Sequence, residues 1–96
     1  MTPEDQKLVT LARSARARTQ AAEGAAVRDV DGRTYAGATV DLPHLQVSAI
    51  GVCLAMAVSS GSSGLDTVVL LTPGRATPTD LAALEDFGGA TVLVNP

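Results

Sequence analysis

Few side chains in this sequence could do chemistry. There is one thiol, Cys53, and one imidazole, His44, with Asp41 and Ser48 near the latter in the chain. By type, Asp41, His44 and Ser48 could form an acid–base–nucleophile set, in which the imidazole takes the hydroxyl proton and the carboxylate orients it. Such a set also needs an oriented base and an oxyanion hole, and nearness in sequence supplies neither. His44 therefore reads as a polar loop residue near a helix start. Cys53 sits inside an apolar stretch, whereas a low-pKa nucleophilic thiol needs a cationic neighbour or a helix N-terminus, so it reads as an inert packing residue. Zinc takes three or four nitrogen, sulfur or oxygen ligands, and His44, Cys53 and scattered carboxylates do not make an evident set. The segment from Thr72 to Thr79 follows an apolar run and opens a helix, which makes Arg75 and Thr77 candidate contacts for an anion. Asp80, in the first turn of that helix, opposes one.

The composition narrows the partners. A net charge of −3 provides no basic face for nucleic acid or anionic lipid. Tyr35 and Phe87 are the only aromatic residues, too few for a platform on which bases stack. A single cysteine cannot close an intrachain disulfide, which suits a reducing compartment. The opening Met1 to Gln6 has neither the basic nor the apolar stretch of a signal peptide. The longest apolar run, Leu45 to Val58, is shorter than the roughly 20 residues that span a bilayer. The expected location is cytoplasmic. One domain is expected over residues 1–96, with a thin core, since chains of this size bury only about 60% of their unfolded surface.

The elements that must position these residues follow from periodicity. Thr2 caps a first helix with Pro3 behind it, Glu4 and Asp5 suit its start, and Arg13, Arg16 and Arg18 suit its end. Leu8, Leu11, Ala12 and Ala15 give that helix an apolar stripe. Ala25 to Val30 and Arg33 to Val40 read as strands joined by a two-residue turn at Asp31-Gly32. Asp41 to His44 is turn material, and Leu45 to Val58 reads as a helix apolar on nearly every side. A sheet covers one side of such a helix, and a second subunit is expected to cover the other. Gly51 within it costs about 1 kcal/mol relative to alanine, which a close contact there would offset. After a polar loop at Ser59 to Gly64, Thr67 to Leu71 and Thr91 to Val94 read as buried strands. Between them lies a helix capped by Thr77, with Leu81, Leu84 and Phe87 inward and Gly88-Gly89 at its end. The predicted order is α-β-β-α-β-α-β, an α/β fold with a mixed sheet and an N-terminal antiparallel hairpin.

Glu23-Gly24-Ala25-Ala26-Val27, Asp31-Gly32-Arg33 and Thr34 to Asp41 resemble the hairpin of cytidine deaminases, worded V-G-A-A-L, D-G-R and T-G-C-N-V-E-N in that family. Ala57-Val58-Ser59-Ser60-Gly61 is similar to the A-V-S-E-G that ends the family's central helix, and the likeness runs from about residue 15 to 94. The resemblance implies a three-layer α/β/α sandwich. It also implies a zinc ion, held by the first residue of C-A-E or H-A-E and by both cysteines of P-C-x-x-C, with the glutamate moving protons. Those positions fall on Ser48-Ala49-Ile50 and on Pro73-Gly74-Arg75-Ala76-Thr77, so the ligand positions hold Ser48, Gly74 and Thr77, and the proton carrier's position holds Ile50, which cannot carry a proton. The ribose-contacting asparagine is matched by Leu42 or falls in a shortened loop, and the aromatic residues preceding V-G-A-A are Ala21 and Ala22. The expectation is a deaminase-like protein with no zinc, no cofactor and no catalytic residues. It would form a homodimer or tetramer through the helix around Leu45 to Val58, or pair with a related subunit. The alternatives are a module binding a nucleoside or an anion, or a divergent deaminase whose metal ligands come from elsewhere.

Overall fold

The computed structural model describes residues 1–96. Helix α1, Pro3–Thr19, starts where the Thr2 hydroxyl accepts the Asp5 N–H at 3.1 Å, and ends where Gln20 turns left-handed at φ 53°. Its buried stripe is Leu8, Val9, Ala12 and Ala15. Val9 thus takes the inward place expected of Leu11, which is 37% exposed.

Strand β1, Gly24–Asp29, pairs antiparallel with β2, Thr34–Ala38, from Gly24↔Ala38 to Arg28↔Thr34. The connection is a three-residue loop, Val30 to Gly32, and not the expected two-residue turn. The Asp29 N–H donates to Arg33 O, so the ladder extends one pair further, and Gly32 closes the loop at φ +88°. Asp29 holds the loop from within, accepting the N–H groups of Asp31 and Arg33 on Oδ1, each at 2.9 Å.

A second departure lies between β2 and the central helix. Val40–Leu42 (β3) and Leu45–Val47 (β4) form a small antiparallel hairpin with Pro43 and His44 at its tip. The apolar run from Leu45 is therefore strand first and helix second. Helix α2, Ala49–Ser59, begins only after Ser48, whose extended backbone and side-chain cap on the Gly51 N–H break the two apart. Two strands are thus added to the expected order. Strand β5, Leu65–Leu71, is longer than the expected Thr67 to Leu71; helix α3 spans Pro78–Asp86 and strand β6 Thr91–Asn95.

The main sheet runs β2-β1-β5-β6, with β1 antiparallel to both neighbours and β5 parallel to β6. Alternate residues of β1 and β5 enter two cores. Ala26, Val69 and Leu71 meet Leu8, Val9 and Ala12 of α1 on one face. Ala25, Val27, Val68 and Leu70 meet Ala49, Ile50, Cys53 and Ala57 of α2 and Leu84 of α3 on the other. This is a three-layer α/β/α sandwich around a mixed sheet. Arg28 ties α1 to the sheet, with Asp5 at 3.0 Å, Asp66 at 3.1 Å and the Thr67 hydroxyl at 3.1 Å. No helix is long and apolar enough to cross a membrane.

Candidate functional site

The N-termini of α2 and α3 meet at the carboxyl end of the main sheet, where open α/β sheets place their sites. Each begins at a hydroxyl residue with an extended backbone, Ser48 and Thr77. Ser48 Oγ accepts the Gly51 N–H at 2.9 Å and donates its proton to Asp80 Oδ1 at 2.6 Å. Thr77 Oγ1 accepts the Asp80 N–H at 3.1 Å. One buried carboxylate therefore links the two caps, and Asp80 takes the inward place expected of Leu81, which is 42% exposed. An inward aspartate in an apolar stripe was not legible as such, although the Thr77–Asp80 spacing was that of a helix cap.

The other candidate residues are dispersed. Asp41 and His44 are exposed on the β3–β4 hairpin, and the hydroxyl proton of Ser48 goes to Asp80, so Asp41, His44 and Ser48 form no relay. Ile50 is wholly buried in the core beneath α2. Gly74 lies in the β5–α3 loop with its N–H on Thr72 Oγ1 at 3.2 Å. Arg75 is exposed in the same loop. The Asp80 carboxylate lies in the first turn of α3, so negative charge is already supplied where an anion would approach Arg75 and Thr77. Cys53 is buried and donates to Ala25 O at 3.5 Å; burial pushes its thiol up to about 12, against a smaller opposing effect of the Gly37 backbone.

Zinc does not fit this donor set. Nowhere do three or more His, Cys, Asp or Glu side chains converge. At the positions that the sequence assigns to ligands, Ser48 and Thr77 offer neutral hydroxyls already engaged as helix caps, and Gly74 offers nothing. Zinc takes deprotonated sulfur, imidazole nitrogen or carboxylate oxygen. Asp80 alone is of that kind. Beside Ser48 runs an open cleft of about 460 Å³ lined by Glu23, Thr39, Asp41 and Gln46 among others.

Residues 1–96 match the family described as Cytidine deaminase-like. No curated protein matches the sequence. A glutamate-to-glutamine mutant of the cytidine deaminase from Mycobacterium tuberculosis is similar in structure, with a TM-score of 0.78 at 22% identity over 95% of this chain and 84% of that one. The cytidine deaminase from Mycobacterium leprae gives 0.77 at 19% identity, over 98% and 87% of the two chains. At these identities the likeness is one of fold.

Proposed function

We propose that this chain, which belongs to the Cytidine deaminase-like family, keeps the family scaffold without deaminating, and acts through assembly with further copies of itself or with a related subunit. The observation that carries this reading is Ile50. The resemblance requires a proton carrier there, facing a metal-bound water, and the chain has a fully buried aliphatic side chain packed into the core. An isoleucine has no proton to give. The assembling face is the outer side of α2, where Ala55 and Val58 are exposed and where no Asp, Glu, Lys or Arg occurs between His44 and Asp66. A reducing cytoplasm suits the single cysteine.

The test is ammonia release from cytidine and deoxycytidine by the purified protein. The reading expects none above buffer; release that a chelator abolishes would contradict it. A second reading keeps a small-molecule pocket in the cleft beside Ser48, where Glu23 and Asp41 would favour a polar or cationic ligand. A rise in Tm with a nucleoside would favour it.

A further inference from the structure

Ser48 and Asp80 are separated by 32 residues and belong to different helices, yet they make the short contact of the site, at 2.6 Å. Asp80 also stands where a local contact would be open to it. Thr77 and Asp80 have the spacing of a capping box, in which the acidic side chain reaches back to the backbone N–H of its own cap residue. Half of that motif is present, since the Asp80 N–H reaches Thr77 Oγ1. The other half is diverted: the Asp80 carboxylate crosses to α2 and takes the hydroxyl proton of Ser48. The separation is at the short end of the range for an O–H···O hydrogen bond. Its setting is protected, with Asp80 only 8% exposed. The carboxylate also lies near the positive ends of two helix dipoles at once.

We infer that the Ser48–Asp80 hydrogen bond is the brace that joins the N-termini of α2 and α3, at the point where the family resemblance implies a metal ion. This rests on the reading that the chain holds no zinc there. Elsewhere the two helices share the core through Leu84 of α3. Ser48 both caps the start of α2 and anchors the first turn of α3.

The test is a double-mutant cycle followed by thermal unfolding, with and without a chelator. Ser48→Ala and Asp80→Ala should each lower Tm by roughly 5–10 °C. The double variant should fall hardly further than the worse single one, and Ser48→Thr, which keeps a hydroxyl, should recover most of the loss. Chelation should leave the wild-type Tm unchanged. Additive losses in the double variant would overturn the brace. A fall in the wild-type Tm on chelation, with zinc found in the protein, would instead overturn the metal-free reading on which it rests.

Discussion

Gly37 of β2 faces Val52 of α2 so closely that a Cβ added to the glycine would stand 2.6 Å from Val52 Cγ1 and 3.2 Å from its Cβ. The valine is stiff at χ1 and cannot swing away. Gly37→Ala must therefore lift α2 from the sheet. Overpacking of this kind costs about 1–3 kcal/mol, which outweighs the ~0.4–1 kcal/mol gained by restricting the unfolded chain. Urea unfolding should show a lower midpoint for Gly37→Ala. Gly74→Ala, whose Cβ would meet only Thr72 Oγ1 at 3.8 Å, should unfold near the wild type.

Acid should unfold the protein through two named carboxylates. The Arg28 guanidinium holds Asp5 below its ordinary value of 3.8. Burial pushes Asp29 upward, but the Arg33 and Asp31 N–H groups and the Arg33 charge outweigh it, and the carboxyl lies below 3.8 as well. Both values are lower folded than unfolded, so both contributions are present above 3.8 and are lost as pH falls beneath it. Melting curves should be nearly flat from neutral pH to about pH 5 and drop below about pH 4. Asp29→Asn should lower Tm at neutral pH and make that drop shallower; an unchanged acid profile would count against the assignment.

Asp29 also has an unmet need. Its Oδ2 is buried without a partner, while the Ser62 hydroxyl donates to Gly64 O at 3.1 Å. Turning that hydroxyl toward the carboxylate would satisfy it. Ser62→Ala removes the option and should weaken the fold by about 1 kcal/mol, measured by urea unfolding.

Cys53 should be chemically silent. With its thiol pushed up to about 12 by burial, almost none is thiolate at neutral pH. A thiol reagent should label it only at the rate of unfolding, and at once in denaturant. Rapid labelling of the folded protein would place the thiol at a surface.

If the outer face of α2 joins subunits, a charge there should separate them without unfolding each one. Val58→Lys replaces a side chain that is 50% exposed. Sedimentation should move from oligomer to monomer, and the circular dichroism of the monomer should stay that of an α/β fold.

The fold was legible where local chemistry and periodicity agreed. Thr2 and Thr77 capped the expected helices, and the β-branched run around Val68 and Val69 lay in the sheet's centre. The pattern misleads where apolar residues continue through a change of structure. Leu45 and Val47 looked like the first turn of a helix because their apolar run continues through Val58, but Ser48 prefers to cap and so divided the run. Leu11 and Leu81 have the spacing of an inward stripe but are 37% and 42% exposed, while Val9 and Asp80 are the buried neighbours. That Ser48 and Thr77 stand where the resemblance implies metal ligands could be read directly from the sequence. The Ser48–Asp80 contact could not, because it depends on the folded crossing of two helices.

The most direct test of metal-free assembly is native mass spectrometry of the protein purified gently from its own cells, which weighs subunits and bound metal together. An oligomer whose mass is that of its polypeptides alone is expected. One zinc ion per subunit would contradict it.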